Sequence, residues 1–131
     1  MPLLDLHISK SDDTPEIISE IDKGHLHISG RSFPENAYQF YIPLLTWVKE
    51  FVDEHPKKPL EIQFELDYFN SSSGRFILEM LTIFEQQDPR SHYRVKWLVD
   101  AHDELMIEKG GEFKSLVDLH IEIVSKEAGT R

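Results

Sequence analysis

Residues 67–75, Asp67-Tyr68-Phe69-Asn70-Ser71-Ser72-Ser73-Gly74-Arg75, set three consecutive hydroxyls behind an asparagine and directly ahead of an amphipathic run. That is the pattern of a helix N-terminus, where the first backbone N–H groups lack intrahelical partners and the macrodipole favours negative charge. Two roles suit it. A Ser side chain among small neighbours can cap the helix. Alternatively, a phosphate carried by one of the serines would be stabilised by the helix start, and its roughly −1.5 to −2 charges would repel an acidic partner and attract a basic one. Hydrolysis by an activated serine has less behind it. Ser71 to Ser73 lack the Gly-x-Ser-x-Gly elbow, and nothing in the spacing of His92, Asp100 and His102 brings them to the serines.

Seven histidines raise the question of a metal. His25 and His27 stand two apart, on one face of a strand, and His7 or His120 could join them on the same sheet. Two imidazoles do not make a site, and His-Glu-x-x-His is missing, so these side chains read as polar residues of a wet sheet face. The run Asp100 to Glu104, with Glu108, suits a cation site, a phosphoacceptor aspartate or an acidic helix start, and the helix start is the simplest of the three. Neither a Walker A motif nor Gly-x-Gly-x-x-Gly occurs. No catalytic residues, cofactor or metal are therefore expected.

These groups must be positioned by alternating strands and helices. Leu60 to Leu66 alternates strictly between apolar residues and Glu or Gln, which predicts a strand with one buried and one wet face. Val95, Trp97 and Val99 repeat the scheme against Arg94, Lys96 and Leu98, as do Leu119, Ile121 and Ile123 against His120 and Glu122. Residues 16–21 and 25–29 predict two short strands joined by a turn at Asp22-Lys23-Gly24, and Leu4 to Ile8 an edge strand. The wet face would set Glu61, Gln63 and Glu65 beside Arg94 and Lys96. Helices are predicted within 33–55, over 73–87 and over about 103–117. The first carries a capping box at Ser32-Phe33-Pro34-Glu35, and Pro43 is expected to divide it into a short turn at 34–40 and a main helix opening at the proline. Gly110-Gly111 is expected to break the third. The resulting β-β-α-β-α-β-α-β order makes parallel strands that advance steadily across a sheet covered by helices on one face.

The chain has 131 residues, with 14 Lys plus Arg against 24 Asp plus Glu, a net charge of −10 and no cysteine. One domain spanning 1–131 is expected, with its core at about 16–124 and a frayed tail at 126–131. The acidic balance disfavours nucleic acid and anionic membranes. Without cysteine there is no disulfide framework, Cys-ligated zinc or thiol nucleophile. No stretch approaches the roughly 18 apolar residues of a membrane span, and no signal peptide is evident, so the cytoplasm is the expected location. Pairing of an exposed edge strand would give a homodimer.

Two motifs resemble those of the SiaC family of bacterial regulatory phosphoproteins. Ile28-Ser29-Gly30-Arg31-Ser32-Phe33-Pro34-Glu35-Asn36-Ala37, continuing through Phe40-Tyr41 and Pro43 to Trp47, is similar to the family's opening motif. Tyr68-Phe69-Asn70-Ser71-Ser72-Ser73 is similar to its central motif, Tyr-Phe-Asn-Thr-Ser-Ser, and Val95-Lys96-Trp97 with Glu108 and Gly110 or Gly111 fits its third block. The resemblance runs from about residue 16 to 124. It implies an α/β, two-layer, STAS-like fold like that of anti-anti-sigma factors, with a mixed sheet and about three helices packed mainly on one face. It also implies a partner switch. A Ser/Thr kinase phosphorylates a residue at a helix N-terminus, a PP2C-type phosphatase removes the phosphate, and the unphosphorylated form binds and activates a GGDEF-domain diguanylate cyclase, raising cyclic di-GMP and promoting aggregation or biofilm formation. The family's acceptor threonine corresponds to Ser71, with Ser72 and Ser73 as neighbouring alternatives. Asp67, Tyr68, Asn70, Gly74, Arg75 and Glu79 would then form the switch loop and partner surface.

Overall fold

Alternation continues through Leu60–Phe69, and the strand it dictates lies inside a six-stranded sheet. The computed structural model describes residues 2–87 and 92–126. The strands are β1 (His7–Ile8), β2 (Glu16–Glu20), β3 (His25–Ser32), β4 (Leu60–Phe69), β5 (Tyr93–Val99) and β6 (His120–Ser125), and the helices are α1 (Ala37–Glu54), α2 (Ser71–Gln87) and α3 (Glu104–Leu116). Strand order in the sheet is strand order in the chain. β1, β2 and β3 pair antiparallel, with Gly24 at φ 70° in the turn between β2 and β3, and β3 to β6 pair parallel, each step crossed by one helix. The sheet's inward side chains Ile62, Phe64, Val95 and Trp97 share one core with Val48 and Phe51 of α1, Ile77 and Phe84 of α2, and Phe113 of α3. The opposite face stays wet. There Glu61 lies across from Arg94 and Gln63 from Lys96, and Lys96 reaches Glu61 at 3.7 Å. Half-exposed pairs of this kind contribute at most about 1 kcal/mol each.

Two expected breaks are absent. α1 runs through Pro43, and its N-cap is Asn36, whose side chain accepts from the Gln39 amide, while Ser32 ends β3 and caps nothing. The missing N–H leaves the Gln39 carbonyl without its helical donor, but Gln39 and Pro43 are both exposed and water can satisfy it. Burial of Tyr41 and Leu44 on either side of the proline holds the turn in helical form. α3 likewise continues through Gly110-Gly111. Gly110 is there because the Trp97 indole lies against the helix: a Cβ at 110 would stand 2.5 Å from its ring. The same indole donates its N–H to the Met106 carbonyl at 2.9 Å.

β3 and β4 extend past their expected ends with a shift of register. Gly30 opposes Leu66 but Arg31 opposes Tyr68, so Asp67 is an extra residue in β4. Strict alternation would bury Tyr68 and expose Phe69. The bulge reverses this, exposing Asp67 and Tyr68 and turning Phe69 onto Trp97 and Phe113. Of the expected terminal tail, only Lys126 lies within the described residues. Among the described residues no helix is long and apolar enough to cross a membrane.

Candidate functional site

β4 delivers the chain to α2 through one residue, Asn70, and that residue caps the helix. Its side-chain oxygen accepts from the Ser73 amide at 2.9 Å and its carbonyl accepts from the Gly74 amide at 2.9 Å, while its own amide donates to the Ser32 carbonyl at 3.0 Å. Ser71 is therefore the first residue of the helix, two residues earlier than the apolar pattern indicates. Of the amides that a helix start leaves over, those of Ser71 and Ser72 have no protein acceptor among the described residues. Gly74 is explained by Phe69, whose ring would lie 3.0 Å from a Cβ at that position.

The three serines have separate fates. Ser71 and Ser72 are exposed, whereas Ser73 turns inward and is fully buried. Below the helix start lies a chain of hydroxyls. Ser32 Oγ donates to Ser73 Oγ at 2.8 Å, and Ser73 Oγ donates to the Ser32 carbonyl at 3.1 Å. Tyr41 O–H is in short contact with Ser32 Oγ. Since the Ser32 hydrogen is already committed to Ser73, Tyr41 must be the donor in that contact. Burial pushes the Tyr41 phenol above its ordinary value of 10.0, and the neighbouring Ser32 and Ser73 hydroxyls oppose the shift. The ends of β3 and β4 and the first turns of α1 and α2 are thus joined by a polar network in which every hydroxyl hydrogen has an acceptor.

Around the exposed serines, Tyr68 packs edge-on against Phe33, and the Arg31 guanidinium lies 5.2 Å from the centre of the Phe33 ring. Asp67 lies 4.0 Å from Lys126, and Arg75 and Glu79 are exposed on α2. Among the described residues no acid–base set accompanies them. The Asp100 side chain accepts from the His102 amide at 2.8 Å and Asp103 caps α3 through the Met106 amide, so the acidic run serves its own loop and helix start. His92 borders a cleft with Lys23, Gly24 and Arg94, at the end of the sheet where β4 and β5 begin, and α2 starts where β4 ends. His25 and His27 lie on the wet face, and no metal-binding cluster of three or more His, Asp or Glu occurs among the described residues. Ser32 and Tyr41 were not legible as site residues. Ser32 continues the inward phase of β3 after Leu26 and Ile28, and Tyr41 lies on the apolar stripe of α1. Their link to Ser73, 41 residues from Ser32, leaves no local signal.

Residues 8–126 match the family described as SiaC family regulatory phosphoprotein. An uncharacterized protein of Pseudomonas aeruginosa (strain UCBPP-PA14) is 31% identical over 111 residues, covering 84% of this chain and 87% of the relative. The crystal structure of apo-SiaC from Pseudomonas aeruginosa superposes with a TM-score of 0.84 at 28% identity, over 92% of this chain and 98% of that one. SiaC as it occurs in complex with the diguanylate cyclase SiaD, whose activator it is, superposes at 0.87 and 28% identity, over 93% of this chain and all of that one. A six-stranded mixed sheet with three helices, matched over nearly its full length, and the family match across both motifs agree: the chain belongs to the SiaC family of regulatory phosphoproteins.

Proposed function

We propose that this chain is a phosphorylation-controlled partner switch with no catalysis of its own. Ser71 is phosphorylated by a cognate Ser/Thr kinase and dephosphorylated by a PP2C-type phosphatase. The unphosphorylated form binds and activates a GGDEF-domain diguanylate cyclase in the cytoplasm, raising cyclic di-GMP and with it aggregation or biofilm formation. The observation that carries this is the different exposure of the serines: Ser71 presents its hydroxyl on the first residue of a capped helix, while Ser73 is buried and hydrogen-bonded. Family membership and the complex formed by SiaC with SiaD support the choice of partner. Asp67 and Tyr68 on one flank of Ser71, and Arg75 and Glu79 along α2, are the proposed contact surface. Asn70 and Gly74 hold the turn.

A phosphate on Ser71 would sit where the helix dipole favours it, by about 0.3–1 kcal/mol. The modification therefore leaves the domain folded and acts on the partner, by adding charge to a surface the partner must cover. Incubation with the cognate kinase and ATP should raise the intact mass by one phosphate. Ser71→Ala should abolish the increase and Ser72→Ala should retain it; the reverse pattern would move the acceptor to Ser72. The unmodified chain should stimulate cyclic di-GMP synthesis by the cyclase and the phosphorylated chain should not. Equal stimulation by both forms would refute the switch.

A further inference from the structure

Away from Ser71, the N-terminal segment crosses the later turns of α1 and is pinned there. The Trp47 indole N–H donates to the Leu4 carbonyl at 2.9 Å, the Leu3 amide donates to Glu54 Oε1 at 3.1 Å, and Asp5 Oδ1 accepts from the Ile21 amide at 2.8 Å. Held at these points, the segment and α1 together line an open cleft of about 470 Å³. Leu3, Leu6, Pro43 and Trp47 give the cleft apolar walls, and Leu4 stands at its edge 77% exposed. The charged side chains that line it are Asp5, Glu50 and Glu54, with no Lys or Arg among the described residues.

We infer that this cleft is a second docking surface, for a basic amphipathic segment of a protein partner. Charge chooses the occupant. An apolar floor edged by three carboxylates accepts leucine-type side chains flanked by Lys or Arg, whose ammonium or guanidinium groups meet the carboxylates as the floor is covered. A second copy of this chain, at net charge −10, would bring like charge to the same rim, and an anionic lipid surface would do so too. Pro43 fits the surface as well: exposed on α1, it presents a rigid ring to the cleft where a buried proline would have contributed to the core. The cleft uses the turns of α1 beyond Tyr41, so an occupant need not cover Ser71.

The probe is a short synthetic peptide of leucine and lysine with a helical apolar face, paired with a scrambled peptide of identical composition and no such face. Each is titrated into the full chain and followed by tryptophan fluorescence, with Trp97→Phe as the background that isolates Trp47, and by anisotropy of labelled peptide. The amphipathic peptide should bind roughly tenfold or more tightly than the scrambled one, and should weaken by a similar factor as salt rises from about 50 to 500 mM. Glu50→Lys should weaken it by about tenfold, whereas Glu112→Lys, an exposed change on α3 with the same effect on net charge, should leave it unaltered. Leu4→Asn, which removes the apolar side chain without adding charge, tests the apolar half and should also weaken binding. Equal affinity for the scrambled peptide, equal effects of the two charge reversals, or no binding of either peptide would overturn the proposal.

Discussion

Replacing Ser73 with alanine takes a single oxygen from beneath the start of α2, and the consequence can be counted hydrogen by hydrogen. The native cluster has three hydroxyl hydrogens: Tyr41 gives its own to Ser32 Oγ, Ser32 to Ser73 Oγ, and Ser73 to the Ser32 carbonyl. Without Ser73, the Tyr41 and Ser32 hydroxyls are left with each other and with the vacated Ser32 carbonyl, which the short Ser32 side chain of the same residue meets only at a poor hydrogen-bond angle. One hydrogen bond can form between them, and the second hydrogen is left orphaned in a buried site. An orphaned buried donor costs about 1–3 kcal/mol and the lost bond about 1 kcal/mol more, so Ser73→Ala should destabilise by about 2–4 kcal/mol. Tyr41→Phe removes a terminal donor and strands no hydrogen. Despite being the larger residue's variant, it should cost only about 1 kcal/mol. Removing all three hydroxyls leaves no orphan, so the triple variant should lose less than the sum of the single changes. Urea unfolding followed by tryptophan fluorescence measures each value, and thermal midpoints should fall by roughly 3 °C per kcal/mol for a chain of this size. A Tyr41→Phe loss equal to or greater than that of Ser73→Ala would show that the donor order is wrong.

The Tyr41 phenol, raised above 10.0 by burial, gives a signed pH dependence. Its protonated form is favoured in the folded state, so its contribution is fully present below about pH 10 and is lost as pH rises through the folded value, by at most about 1.4 kcal/mol per pH unit. The stability difference between wild type and Tyr41→Phe should therefore shrink above pH 10; a difference that stays constant would refute the assignment. Gly110→Ala should destabilise by about 1–3 kcal/mol through collision with Trp97, whereas Gly111→Ala, whose Cβ meets nothing within 4 Å, should stabilise by about 0.8 kcal/mol, both read by urea unfolding. Asn70→Ala should cost about 1 kcal/mol through loss of the cap on the Ser73 amide, and Asn70→Asp, which keeps the acceptor, should recover most of it. β6 is a six-residue edge strand, against two residues in β1, so pairing of a second copy at β6 is the proposed route to a homodimer. Light scattering across a concentration series should show a dimer that Ile123→Pro, at the middle of β6, abolishes.

Period-two alternation made β4, β5 and most of β6 readable, since each has one buried and one wet face and the pattern survives in a single strand. α2 was equally open because its apolar stripe is uninterrupted. Failures came where a distant residue overrides a local signal. Pro43 and Gly110 look like helix breakers until the burial of Tyr41 and Leu44, or the approach of Trp97, is known. The Asp67 bulge follows from pairing with β3 across more than thirty residues of intervening chain, and it alone decides that Tyr68 is exposed and Phe69 buried. At the site, the motif located the helix start to within two residues. Which serine faces the core depended on Ser32 and Tyr41, brought there by tertiary packing.

Strand order that copies chain order also sets an order of synthesis. As the chain emerges, each β-strand finds its neighbour already made, and the sheet grows from one edge without waiting for any later segment to insert between finished strands. By the time Gln87 is complete, β3, α1, β4 and α2 are all present, and with them every partner in the Ser32, Tyr41 and Ser73 cluster. The hydroxyl cluster under the start of α2 can thus be assembled before its cover. Trp97 and Phe113 arrive afterwards to enclose Phe69, so the last third of the chain acts as the closing half of a shell around a helix start that the first two thirds have already built.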